Sequence, residues 1–148
     1  MFDRQKFIQT LIFIQEKLFK LPAGSYGFNG SSVLMFFDDS IIPHDIDMIT
    51  EDRYFDDIYC TLKDFAINQP HQEQSAVSNF RRAEFDINGF EVDLIGENKK
   101  LNYSELKITA EKIISIYALS EMINMYQTLG RQDKVLLLKK IIEKNVNL

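Results

Sequence analysis

The stretch His44-Asp45-Ile46-Asp47-Met48-Ile49 decides the fold, because polar and apolar residues alternate along it. A period of two predicts a β-strand with one buried face and one polar face. Side chains two residues apart on a strand lie on the same face, roughly 6.6 Å apart. We therefore expect Asp45 and Asp47 to share a face, with Ile46 and Met48 turned to the core. Two such carboxylates suit a hard cation such as Mg²⁺, which prefers oxygen ligands.

A second acidic group is expected further along the chain, around Asn88-Gly89. This dipeptide separates two alternating runs, 80–87 and 90–95, and Asn-Gly is typical of a two-residue hairpin turn. One face of the hairpin then carries four acids in two facing pairs: Glu84 with Asp93, and Asp86 with Glu91. Facing like charges cost a few tenths to about 1 kcal/mol, so either solvent or a cation must compensate them. Asp93 lies between two apolar residues, as Asp47 does, and is our third candidate carboxylate.

A glycine turn precedes the acidic strand. Thirteen residues separate Gly30-Ser31 from Asp45, and the turn lies between a short extended segment and an expected short helix. Glycine lets backbone N–H groups approach a phosphate closely, and a helix N-terminus adds positive potential. Gly24-Ser25 is an alternative turn just upstream. The position of Gly30-Ser31 ahead of the acid–apolar–acid strand favours it as the phosphate site.

The rest of the chain alternates between helical and extended patterns. Helices are expected over about 8–19, 52–66, 105–129 and 131–144, and a polar loop over 69–79. Together these elements predict an α+β fold in which helices cover a small mixed or antiparallel sheet. We expect one domain over 1–148, with its core in 24–95 and a helical C-terminal part in 104–146.

Composition excludes several classes of protein. The 148 residues are 45% hydrophobic and 26% charged, which fits one globular domain. The net charge of −5 argues against binding to duplex DNA. One cysteine and two histidines allow neither an internal disulfide nor a zinc cluster. A lone cysteine is usually a small buried hydrophobic residue, so Cys60 is expected in the core. We see no signal peptide and no apolar stretch of about 20 residues, so no membrane contact and a cytoplasmic location are expected.

Taken together, these motifs resemble those of the DNA polymerase beta-like nucleotidyltransferase superfamily, especially its small single-domain bacterial members. The resemblance rests on Gly30-Ser31, on the segment from Ile42 to Met48, and on the segment from Asp86 to Leu94. It implies a nucleotidyltransferase-like fold in which Gly30 and Ser31 hold a triphosphate. It also implies a two-metal Mg²⁺ site ligated by Asp45, Asp47 and Asp93, with Asp93 helping to deprotonate the acceptor hydroxyl.

The function implied by this resemblance is nucleotidyl transfer. A nucleoside monophosphate would pass from a nucleoside triphosphate to a hydroxyl of an antibiotic-like small molecule or of a protein, with release of pyrophosphate. So short a chain leaves little room for an acceptor pocket, which a second subunit of a homodimer would complete. The alternative is a catalytically silent relative that binds nucleotide or a partner protein, for example in a toxin–antitoxin pair.

Other polar residues have simpler explanations. A hydrogen-bonded loop position is favoured for His44, and a solvated pair, rather than a triphosphate contact, for Arg81-Arg82. The tyrosines and methionines between Tyr117 and Tyr126 are expected in the core or at a dimer surface.

Overall fold

One mixed β-sheet organises the protein. The structure is a computed structural model that describes residues 1–75 and 78–144. In this part of the chain the sheet has seven strands in the order β3-β4-β5-β2-β1-β7-β6. The strands are β1 (Tyr26–Asn29), β2 (Ile46–Glu51), β3 (His71–Gln74), β4 (Asn79–Ile87), β5 (Phe90–Glu97), β6 (Tyr103–Lys107) and β7 (Ile113–Tyr117). The helices are α1 (Arg4–Lys17), α2 (Ser31–Leu34), α3 (Asp52–Leu62), α4 (Leu119–Thr128) and α5 (Gln132–Lys144). The α+β class with a mixed sheet is confirmed.

One hydrophobic core joins the sheet to buried residues of all five helices, and α1 and α3 pack on one face of the sheet. Alternate residues of the central strands, among them Met48 and Leu94, are buried on this face. Phe7 of α1 packs edge-on against Phe90 at a centroid distance of 5.1 Å. Phe55 of α3 is fully buried and meets the sheet where Gly96 leaves room for its ring. Burial of these apolar residues leaves the opposite face of the sheet for polar side chains.

The predicted hairpin is confirmed. β4 and β5 pair with Ile87 opposite Phe90 and Glu84 opposite Asp93. Asn88 and Gly89 both have positive φ, 55° and 84°, as the turn between such strands requires. β2 is also confirmed, but it begins at Ile46 and continues to Glu51, so Asp45 lies just before the strand.

The predicted helix over 105–129 is wrong in its first half. Residues Tyr103–Lys107 and Ile113–Tyr117 form the antiparallel strands β6 and β7, and α4 begins only at Leu119. Isoleucines at 113, 114 and 116 favour a strand because β-branched side chains pack well on a pleated surface. The helical C-terminal part expected over 104–146 therefore begins only at Leu119. From there to Lys144 it is confirmed by α4 and α5, which the turn at Gly130 separates, and residues 145 and 146 lie outside the described residues.

The predicted loop over 69–79 is also partly wrong. His71–Gln74 forms β3, an edge strand that pairs with β4, and Asn79 begins β4. A polar edge strand has no core-facing side, so its sequence lacks the apolar alternation that predicts a strand. Residues 76 and 77 lie outside the described residues.

The expectation that Cys60 belongs to the core is wrong, because its side chain is exposed. Cys60 lies on α3, whose buried side is formed by Phe55, Ile58, Tyr59 and Leu62, and it falls just off that stripe. The expectation for 117–126 is confirmed, since Tyr117, Met122 and Tyr126 are buried. No helix among the described residues has both the length and the apolar character to cross a membrane.

Candidate active site

Three carboxylates meet on the polar face of the sheet. β2 and β5 are parallel neighbours, and their register places Asp47 directly beside Asp93. Asp45 precedes β2 and points to the same place, so that each of the three acids has an oxygen within 4.8 Å of the other two. The structure therefore gathers the three acids that the sequence singled out, although Asp93 is distant from the others along the chain.

The acids form part of a polar row that crosses four strands. Asn29 of β1 pairs with Asp47, Asp47 with Asp93, and Asp93 with Glu84 of β4. Glu84, Glu91 and Asp93 form a second group whose oxygens lie within 4.8 Å of one another. The two groups share Asp93, so this residue is the centre of the acidic face.

The electrostatics of the site favour a bound cation. Burial, followed by the charges of Asp45 and Asp93, raises the pKa of Asp47 to about 7. Burial also raises the pKa of Asp93, whereas Arg82 opposes this rise. The site thus holds more negative charge than its own residues neutralise. An all-oxygen donor set with open positions fits Mg²⁺, so Asp45, Asp47 and Asp93 could hold this ion.

The glycine turn faces the acids. Gly30 has φ of 64° and ψ of −144°, a conformation that essentially only glycine adopts. Its N–H donates to Oδ1 of Asn29 at 2.8 Å, and a Cβ at this position would lie 3.0 Å from Oδ2 of Asp47. The carboxylate of Asp47 therefore lies where a side chain at position 30 would project, next to the turn.

The two serines after Gly30 have different surroundings. Ser32 is fully buried; its hydroxyl donates to the Asn29 carbonyl at 2.6 Å and accepts from the Asp47 N–H at 3.4 Å. Ser31 is partly exposed at the start of α2. Because α2 has four residues, its dipole is smaller than we expected. An anion could therefore bind only to the N–H groups of its first turn. Ser32 thus supports the turn, and Ser31 remains the candidate for ligand contact.

The alternative turn, Gly24-Ser25, lies elsewhere. A Cβ on Gly24 would meet Tyr103 of β6, and the Ser25 hydroxyl donates to the carbonyl of Pro22. Neither contact involves the acids, so the structure separates the two glycine turns that the sequence left open.

Arg82 is part of the acidic face, and its prediction as half of a solvated arginine pair is wrong. Its Nε and Nη2 donate to Oδ1 of Asp93 at 3.2 and 2.9 Å. Arg81 extends to the opposite face and donates to Asp52 and Asp56 at 2.8 and 2.9 Å. Adjacent residues on a strand point to opposite faces, so strand alternation in 80–87 was the signal that would have separated them.

Helix α4 borders the site on the side of the glycine turn. The Tyr126 hydroxyl lies 3.6 Å from the position that a Cβ on Gly30 would take, and Met125 Sδ accepts from Nδ2 of Asn29 at 3.5 Å.

Beside α4 is a cavity of about 480 Å³ whose lining includes Ile49 and Ile95. These two follow Asp47 and Asp93 by two residues, so the cavity opens on the same face of the sheet as the acids. His44 is exposed beside Asp45.

Comparison with known structures supports the fold assignment. The chain is similar to the crystal structure of a "putative nucleotidyltransferase" from Thermotoga maritima, with a TM-score of 0.75 and 20% sequence identity. The alignment covers 97% of this chain and 96% of that one. No family model matches the chain, and no curated protein sequence matches it. The protein therefore has a nucleotidyltransferase-like fold.

Proposed function

We propose that this protein is a Mg²⁺-dependent nucleotidyltransferase that uses a nucleoside triphosphate as donor. One observation carries the proposal: in a nucleotidyltransferase-like fold, Asp45, Asp47 and Asp93 converge within 4.8 Å beside the glycine turn at Gly30. Facing like charges are costly without a cation. Selection for stability alone would not place these three carboxylates together beside a glycine turn that is suited to phosphate binding.

Each residue has a role in this proposal. Asp45 and Asp47 hold the metal ions, and Asp93 ligates one of them and accepts the proton of the attacking hydroxyl. Gly30 and Ser31 hold the β- and γ-phosphates: Gly30 by letting the phosphates approach the backbone closely, and Ser31 through its backbone N–H and its hydroxyl. When bound, two Mg²⁺ ions supply charge stabilisation to the attacking and leaving oxygens.

The reaction is an in-line displacement at the α-phosphorus. The acceptor oxygen forms a bond to phosphorus, the bond to the bridging oxygen of the β-phosphate breaks, and pyrophosphate leaves with the electron pair. Positioning and charge neutralisation account for most of the catalysis. The proposed acceptor is a hydroxyl of a small molecule, of the antibiotic-like kind, or of a protein side chain. The cavity of about 480 Å³ beside α4, on the same face of the sheet as the acids, has the size of a small-molecule site, and a homodimer would enlarge it.

The test is incubation of the protein with each α-labelled nucleoside triphosphate and Mg²⁺, in the presence of panels of hydroxyl-bearing small molecules or of lysate proteins. We expect magnesium-dependent transfer of label with release of pyrophosphate, and loss of both in Asp47→Asn. Nucleotide binding without turnover, measured as a rise in melting temperature with triphosphate and Mg²⁺, would identify the silent nucleotide-binding protein instead. If Asp47→Asn kept full turnover, the proposed metal role would be refuted.

A further inference from the structure

Arg82 is the one cationic side chain that contacts the three-acid cluster among the described residues. Its guanidinium sends two N–H groups to the same oxygen of Asp93, Oδ1, at 3.2 and 2.9 Å. The Asp93 side chain is 7% exposed and that of Arg82 is 31% exposed. This ion pair is therefore partly withdrawn from solvent, where charge-assisted hydrogen bonds are stronger and more directional than at an open surface.

A second layer of contacts holds Arg82 in place. Its Nη1 donates to both carboxylate oxygens of Glu73, each at 3.4 Å. Glu73 in turn contacts Nε2 of His71 at 3.0 Å. Both residues belong to β3, the edge strand that pairs with β4. The guanidinium is thus fixed between an edge-strand acid and the central acid of the site, and it cannot rotate away without losing both partners.

We propose that Arg82 is a positioning residue, which orients the Asp93 carboxylate for transfer and at the same time restrains the affinity of the site for its metal. This inference rests on the proposed function. A carboxylate has two oxygens with about four acceptor sites, so one oxygen held by Arg82 leaves the other for a metal or an acceptor hydroxyl. Arg82 gives Asp93 its orientation, whereas its positive charge offsets part of the attraction that the acids exert on a cation.

Two opposite effects follow when Arg82 is removed. The acids lose their local counter-charge, so the metal should bind more tightly. Asp93 also loses the contact that orients it, so transfer should slow. A residue that served only to stabilise the fold would move metal binding and turnover in the same direction or leave both unchanged, because no specific charge effect would be involved.

The experiment compares wild type with Arg82→Gln and Arg82→Lys, and uses Arg81→Gln as a matched control. Arg81 is the neighbouring arginine, and its partners are the α3 acids Asp52 and Asp56. Melting temperatures are measured against Mg²⁺ concentration after treatment with a chelator, and kcat and KM are measured with the labelled triphosphate. The Mg²⁺ midpoint is the Mg²⁺ concentration that gives half of the full rise in melting temperature. In Arg82→Gln we expect this midpoint to fall by about fivefold and kcat to fall by about 10²-fold. Arg82→Lys should keep the wild-type Mg²⁺ midpoint and recover only part of kcat. Lysine supplies the positive charge, but it lacks the planar set of guanidinium N–H groups that orients the carboxylate.

The outcomes separate this inference from the proposed function. If wild type shows no response to Mg²⁺, the proposed metal site fails and the inference fails with it. If wild type responds, but Arg82→Gln has an unchanged or higher Mg²⁺ midpoint, the inference alone is overturned. It is also overturned if Arg81→Gln reproduces the changes of Arg82→Gln. A lower midpoint combined with slower transfer, seen only at Arg82, supports it.

Discussion

Replacing Gly30 with alanine tests whether the glycine turn and the acids form one unit. Gly30 has φ of 64° and ψ of −144°, and a side chain in this region costs about 1–3 kcal/mol. The added Cβ would also lie 3.0 Å from Oδ2 of Asp47, which is closer than ordinary contact. We therefore expect Gly30→Ala to lower the free energy of unfolding by about 2–3 kcal/mol, which corresponds to a fall in melting temperature of roughly 6–10 °C.

Gly130→Ala is the matched control. Gly130 also has positive φ, 72°, but a Cβ there would meet nothing within 4 Å. Its replacement should cost about 1 kcal/mol from the backbone alone. Turnover should stay unchanged in this control, whereas Gly30→Ala should lose about 10²-fold because Asp47 is displaced.

A double-mutant cycle with Asp47→Ala isolates the contact itself. Removal of the Asp47 carboxylate leaves the alanine introduced in place of Gly30 with its backbone strain but without the close oxygen. We expect Gly30→Ala to cost about 1 kcal/mol less in the Asp47→Ala background than in wild type, measured by urea denaturation. If Gly30→Ala lowered the free energy of unfolding equally in the two backgrounds, a side chain at position 30 would not contact Asp47, and the reasoning would be refuted.

Three further predictions concern Asp47, Gly27 and Asp93. The folded-state pKa of Asp47 is raised to about 7 from 3.8. The Asp47 carboxyl therefore makes its full contribution to the free energy of unfolding below pH 3.8. This contribution, at most on the order of 4 kcal/mol, is lost as pH rises through about 7. In chelator, Asp47→Asn should therefore gain stability over wild type between pH 5.5 and pH 8.5, and a constant difference in melting temperature would contradict this. Gly27→Ala should cost about 3 kcal/mol or more, because its Cβ would lie 2.7 Å from backbone atoms of Ile116 and Tyr117; a loss below about 1 kcal/mol in urea denaturation would contradict the close approach of β1 and β7. Asp93→Ala should reduce kcat more than triphosphate affinity, and equal losses would mean that its role is misassigned.

Local patterns predicted the elements that build the site. Alternation around Asp47 predicted β2, and Asn88-Gly89 predicted the β4–β5 hairpin with its register, because turn type and pleat period are properties of neighbouring residues. The same reasoning failed where local signals conflict. The isoleucine-rich residues of β7 fit a helical stripe as well as a strand, and the polar strand β3 carries no alternation at all, so only pairing with β6 and β4 decided their structure.

The sequence by itself determined which acids share a face with which neighbours, and where glycine permits a turn, since both follow from backbone geometry over a few residues. Only the tertiary structure decided that β2 lies parallel to β5, which brings Asp93 beside Asp47. Strand order depends on contacts between distant segments, and burial of the common core selects one order among those that local patterns allow.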